Sequence, residues 1–214
     1  MKLERIEVKN YRSLFHDYEA GESFALDLGE GMNAIAGPNN VGKSNVLRAL
    51  ALALDPEFQY DRSIDMPTPL PWSKPSVTLV FKVPEKGAPG REKTLLRLVD
   101  EYERKVKPDA RRTYADDNEV RLRVTIEGAE DSAGTRREVF VVKGGGARSL
   151  NDDDPVARRA IESFHRCFHF VLIQSGQSLE SLMEGRFRDI LHNVLREELR
   201  AEVDAANQQR QDYA

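Results

Sequence analysis

The sequence predicts an α/β fold: a strand, a glycine loop and a helix near the N-terminus, then an antiparallel β lobe and a long closing helix. Three observations carry that expectation. The octet Gly37-Pro38-Asn39-Asn40-Val41-Gly42-Lys43-Ser44 has the spacing G-x-x-x-x-G-K-[ST]. It lies between a short apolar run at 32–36 and a run in which Val46, Leu47, Leu50 and Leu54 recur at helical spacing. Further on, four segments rich in β-branched residues are separated by charged or glycine-rich stretches.

Taken in order, the chain opens with a predicted hairpin. Ile6 and Val8 alternate with polar neighbours, as do Phe24, Leu26 and Leu28, while 16–22 has the polarity of a turn. This hairpin is expected to lie beside the loop strand at 32–36.

The loop itself has the chemistry of a phosphate cradle. Gly37 and Gly42 allow backbone angles at which successive N–H groups turn inward. Lys43 adds a mobile ammonium, whose attraction to a phosphate charge about 4 Å away is worth on the order of 4 kcal/mol near a protein surface. Ser44 offers a hydroxyl to magnesium, a cation that prefers oxygen ligands and keeps several waters. The helix expected to start near Lys43 turns its positive end towards the same anion. The whole octet, with Lys43 as its catalytic cation and Ser44 as a metal ligand, is therefore the candidate site for a nucleoside triphosphate.

Between 55 and 75 five prolines exclude regular ladders and long helices, so an irregular surface segment is expected, with Trp72 as an anchor. Strands are predicted at 77–83, 94–99, 119–126 and 137–142, with mobile connections at 84–91 and 100–118. Gly144-Gly145-Gly146 ends this lobe. Asn151-Asp152-Asp153-Asp154-Pro155 places capping acids before a proline, which predicts a helix to about Arg166. Capping explains the acidic triplet more simply than a metal site. The apolar run 168–173 then reads as a buried strand.

From Arg186 onwards there is no proline or glycine, and Phe187, Ile190, Leu191, Val194, Leu195, Leu199 and Val203 form one stripe. This exit helix is either a capping helix or the first turns of a coiled coil. The predicted organisation is thus an N-terminal lobe at 1–185, containing a β-rich part at 77–143, followed by the helix at 186–214.

Composition narrows the function. The chain has 214 residues, 40% of them hydrophobic, enough for a real core. A formal net charge of −4 argues against coating nucleic acid by bulk charge, so any DNA contact must be local. The pairs Arg111-Arg112, Arg136-Arg137 and Arg158-Arg159 adjoin acidic residues and read as solvated surface. The single cysteine, Cys167, cannot form an internal disulfide and suits a reducing compartment. His165, Cys167 and His169 have alternate spacing but no fourth ligand nearby, so packing is expected rather than zinc. With no secretion signal at the start and no run of 18 apolar residues, the expected location is cytoplasmic, with no membrane partner.

Three segments together resemble a known family. The opening Ile6-Glu7-Val8-Lys9-Asn10-Tyr11-Arg12-Ser13-Leu14, the loop followed by Asn45, and Val171-Leu172-Ile173-Gln174-Ser175 resemble the N-terminal half of an ABC-type ATPase head. The group in view comprises the structural-maintenance-of-chromosomes (SMC) proteins, long-coiled-coil repair ATPases, RecF and the overcoming-lysogenization-defect (OLD) nucleases. The resemblance implies ATP and Mg2+ as cofactors. It makes Gln174 the glutamine that holds magnesium and the attacking water, a task that suits a neutral amide. It also implies that Arg12 and Ser13 lie near the nucleotide, with Asn45 continuing the loop site.

The same resemblance implies parts that this sequence does not contain. The serine-glycine-glycine signature, the Walker B strand ending in Asp-Glu and the switch histidine are missing, so magnesium lacks a ligand and water a base. The expected partners are therefore a C-terminal half of the head, a second head, DNA, and a nuclease or accessory subunit. Alternatives are the regulatory ATPase half of an OLD-type endonuclease and a non-hydrolysing assembly module. A transporter subunit shares the general fold but fits the opening segment poorly.

Overall fold

The computed structural model of the chain describes residues 1–17, 22–39, 41–55, 57–66, 74–127, 134–140, 143, 154–173, 176, 178, 180, 187–192, 194–196, 199 and 203. They belong to two compact units, Met1–Phe170 and Val171–Ala214.

The first unit is built on strands β1 (Lys2–Lys9), β2 (His16–Asp17), β3 (Glu22–Asp27), β4 (Ser76–Lys82), β5 (Glu119–Glu127) and β6 (Gly134–Glu138). They form one sheet in the order β2-β3-β1-β4-β5-β6, and every neighbouring pair is antiparallel. The helices are α1 (Lys43–Leu54), α2 (Arg62–Asp65), α3 (Gly90–Val106) and α4 (Pro155–Cys167), with a 3-10 turn at Ala115–Asp117. The architecture is mixed α/β with an antiparallel sheet, and the opening hairpin forms as expected from β1 and β3.

Register explains which face is apolar. Residues opposite one another across antiparallel strands share a face. Ile6 pairs with Leu79 and Leu79 with Leu122; Val8 pairs with Val77 and Val77 with Val124; Phe81 pairs with Val120. All of these side chains are buried, each contributing roughly 1.5–3 kcal/mol. The Phe81 ring meets those of Phe164 and Phe168 edge-on, at 5.2 and 5.1 Å between centroids, which seats α4 on this face. Arg5, Glu7, Arg121 and Arg123 share the opposite face by the same register. There Arg5 pairs with Asp27 at 2.8 Å and Arg121 with Glu119 at 2.5 Å. Between these charged residues, Thr78 and Val80 of the central strand β4 lie on the same face and are buried as well.

Residues 94–99 are not a strand but part of α3. Leu95, Leu98, Val99 and Tyr102 are its buried apolar residues, and their helical spacing outweighs the β-branched character of Thr94 and Val99. The connection expected to be mobile at 100–118 is likewise ordered. Arg104 joins Asp100 at 2.9 Å and Asp116 at 3.0 Å, while fully buried Glu103 accepts from the Ala115 N–H at 3.1 Å.

The helix expected after 151–155 is α4, and the Asp154 carboxylate caps it by accepting from the N–H groups of Val156 and Ala157. Asp152 and Asp153 lie outside the described residues, as do Gly144-Gly145-Gly146 and Trp72.

Two further predicted strands do not form. Residues 32–36 join no ladder, and Met32 is 96% and Ile35 40% exposed. The polypeptide there is held locally instead, by Asn33, whose side chain accepts from the Gly29 N–H at 2.8 Å and donates to the Gly31 carbonyl at 3.2 Å. The second is 168–173, also without a ladder. An apolar run becomes a strand only when another strand satisfies its N–H and C=O groups, and neither run has one among the described residues.

In the second unit the described residues 187–192, 194–196, 199 and 203 are helical. Leu195, Leu199 and Val203 recur every fourth residue and are more than half exposed.

Candidate nucleotide-binding site

α1 begins immediately after the glycine loop, with Gly42 as its N-cap. Gly42 has φ 97°, a left-handed backbone that a side chain disfavours. Asn45 and Val46 both donate their N–H groups to the Gly42 carbonyl, at 2.9 and 3.2 Å, which closes the first turn. The N–H groups of Lys43 and Ser44 lie ahead of that turn, where a helix presents donors to an anion.

Asn39, Gly42, Lys43, Ser44 and Asn45 line one cavity of about 520 Å³, within the size range of small-molecule sites. The Lys43 ammonium donates to the carbonyls of Gly37 and Pro38, the former at 2.7 Å, so it already arches over the loop. Val41 is 56% exposed at the loop's crest. The chemistry of this donor set fits a triphosphate: one ammonium, helix N-terminal amides and a hydroxyl open on a single space. Ser44 is the residue here that suits a hard divalent cation. Asn40 and Gln174 lie outside the described residues.

The opening segment is brought to the helix that follows this loop, where Arg12 and Ser13 meet Asn45. Tyr11 and Leu14 exchange both backbone hydrogen bonds, at 3.0 and 2.9 Å, which makes Arg12 and Ser13 the tip of a tight turn. Ser13 Oγ accepts from Asn45 Nδ2 at 2.8 Å. Arg12 donates from Nη1 to Asn45 Oδ1 at 3.2 Å. One asparagine thus ties the turn to the helix that follows the loop. Tyr11 is fully buried beneath them. Burial first, and then the charge of Asp65, pushes its hydroxyl up to about 12, so it stays protonated at neutral pH.

Sequence reasoning missed Asp65. It stands in the stretch read as irregular surface, yet its side chain is fully buried and accepts from Arg12 Nε at 2.6 Å. Arg48 of α1 approaches the same carboxylate at 3.5 Å. Asp61 could have flagged the place, since it caps α2 by accepting from the Ser63 N–H at 2.9 Å. Nothing in the sequence connects that short turn to Arg12.

The basic pairs separate into different environments. Arg112, an exposed side chain, pairs with Asp117, while Arg136 pairs with Glu138 at 3.3 Å with both side chains partly buried. Arg137 is partly buried and donates to the Leu52 and Asp55 carbonyls at the end of α1, at 3.3 and 3.1 Å. Cys167 is partly buried, and desolvation raises its thiol pKa. Among the described residues no cluster of three or more His, Cys, Asp or Glu could hold a metal ion, and no helix is long and apolar enough to cross a membrane.

The family model described as the AAA ATPase domain matches residues 1–142, a span that includes the opening turn, the glycine loop and the sheet. No curated protein matches the chain.

Proposed function

Because the chain belongs to the AAA ATPase domain family, we propose that it is the ATP-binding N-terminal lobe of an ATPase head of the SMC, RecF and OLD kind. Family membership supports a nucleotide-binding ATPase function in general; the rest of this reading goes further. The observation that carries it is the cavity shared by Lys43, Ser44 and Asn45, with Arg12 and Ser13 bonded to its wall.

In this reading Lys43 exchanges the Gly37 and Pro38 carbonyls for the outer phosphates of ATP. The amides of the first turn of α1 hold the inner phosphates. Ser44 and Gln174 would hold magnesium, which would offset phosphate charge, and Gln174 would also orient the attacking water. The signature and Walker B residues would come from a C-terminal half. Met32 and Ile35 are exposed apolar side chains that such a completion would cover. Two completed heads would then pair on ATP and pass their closure to DNA or to a nuclease subunit in repair, chromosome maintenance or defence. The stripe Leu195, Leu199 and Val203 suits the start of a coiled coil. A cytoplasmic location goes with these partners.

The test is the molar mass in solution of the completed assembly, with and without ATP and magnesium. Pairing on nucleotide addition that disappears with Lys43→Ala supports the reading. Pairing that survives Lys43→Ala contradicts it.

A further inference from the structure

Asp65 is a carboxylate in an unusual position: fully buried, and in contact with two guanidinium groups from two separate elements. Its Oδ1 accepts from Arg12 Nε at 2.6 Å, its Oδ2 accepts from the Asp61 N–H at 3.0 Å, and its backbone carbonyl accepts from the Arg12 N–H at 3.0 Å. Arg12 is therefore held at both main chain and side chain by one residue.

The turn that carries Arg12 is strained. Arg12 has φ 53° and Asn10 has φ 55°, left-handed values that non-glycine residues adopt uncommonly and only where the surroundings enforce them. What enforces Arg12 is visible. Asp65 takes its backbone N–H and its Nε, and Asn45, on the cavity wall, takes its Nη1. A forked guanidinium can serve two acceptors in two fixed directions, which a single ammonium does poorly.

From this geometry we infer that Asp65 is a positioning residue for the nucleotide site: it fixes Arg12 against Asn45, so that the guanidinium charge and the Asn45 side chain are set before a polyphosphate arrives. The short helix α2 and its cap Asp61 exist in this account to deliver one carboxylate to the back of the phosphate loop. The inference rests on the nucleotide-binding reading above and assigns a specific part within it to residues 61–65. Asp65 acts through Arg12, without touching the ligand.

A double-mutant cycle tests it, reading ATP affinity of the purified protein by calorimetry beside its thermal midpoint. Asp65→Asn keeps the volume and an acceptor oxygen but removes the charge. The expected result is about a tenfold loss of affinity in the wild-type background, the scale of one charge-assisted hydrogen bond. In an Arg12→Ala background the same change should cost less than about twofold, because the residue it positions is gone. An equal loss in both backgrounds, or none in either, overturns the inference. Should Asp65→Asn fail to fold, Arg12→Lys decides: it keeps the positive charge without the fork, and it is expected to lose affinity as Arg12→Ala does. Wild-type affinity in Arg12→Lys would show that charge alone matters and that the clamp does not. Lys43→Ala separates the two levels. If it leaves ATP binding intact, the nucleotide reading itself fails; if it abolishes binding while the cycle is additive, only the role of Asp65 falls.

Discussion

The Ser13 hydroxyl occupies the space beside Gly42 into which a side chain would grow: a β-carbon on Gly42 would sit 2.8 Å from Ser13 Oγ. The loop and the opening turn are thus fitted to each other across about 30 residues of chain, and the φ of 97° adds a backbone demand of its own. Gly42→Ala is expected to destabilise the protein by about 1–3 kcal/mol and to weaken ATP binding. Ser13→Gly in the same chain should relieve the steric part and leave the backbone part, so thermal midpoints of the single and double variants check both. A double variant no better than Gly42→Ala would place the whole cost in the backbone.

Glu103 carries a pH dependence with a definite sign. Desolvation raises its pKa from 4.5 to about 7, against the lowering effect of the Ala115 and Tyr114 N–H groups. A folded-state value above the unfolded one means that its contribution is complete below about pH 4.5 and is lost as pH rises to about 7. The shift corresponds to on the order of 3 kcal/mol between those limits. Glu103→Gln, which cannot ionise, is expected to be more stable than wild type at pH 8 and to flatten the stability profile between pH 4.5 and 7. Urea unfolding at a series of pH values measures this, and an unchanged profile would remove Glu103 as its source.

Arg137 stands at the end of α1, where unpaired carbonyls and the helix dipole favour a cation. Its bonds to the Leu52 and Asp55 carbonyls are made partly out of water, and burial lowers its pKa. Arg137→Leu is expected to cost about 1–3 kcal/mol, because the Leu52 and Asp55 carbonyls lose a charged donor in a partly buried place, although the Asp55 carbonyl keeps the Phe58 N–H. Denaturant midpoints check the value. No loss would mean that water replaces the guanidinium at those carbonyls.

The Asp154 cap makes a smaller and simpler case. Asp154→Ala removes the acceptor for the Val156 and Ala157 N–H groups. The expected cost is about 1 kcal/mol, the usual value of an N-cap. Asp154→Asn, which keeps an acceptor oxygen, should recover most of it in the same thermal measurement.

These particulars show what could be read from the residues and what could not. The loop, α1, the opening hairpin, β4, β5 and α4 were legible because each carries a local signature: glycine spacing, a two-residue or helical period, a capping acid before proline. The α3 segment was also legible in principle, but only over a window long enough to include Tyr102 with Leu95, Leu98 and Val99. The six residues from Thr94 to Val99 hold three leucines between two β-branched ends, a window too short to separate a helical period from a strand. Apolar runs at 32–36 and 168–173 have strand composition without strand structure, since a ladder belongs to two segments and composition belongs to one. Within the site, Lys43, Ser44 and Gly42 follow from spacing, and Arg12 from resemblance. Asp65 was out of reach, because the interaction that matters joins positions 53 residues apart and leaves no period in either.

In the function proposed, the loop at 37–44 holds the phosphates of ATP through Lys43 and the start of α1. Calorimetric titration of the protein with ATP and magnesium tests it most directly, wild type beside Lys43→Ala. Saturable binding by the wild type is expected, with at least a tenfold loss in the variant, about the effect of removing one charged phosphate contact. Absence of adenine-nucleotide binding by the wild type, or equal binding by both proteins, would contradict it.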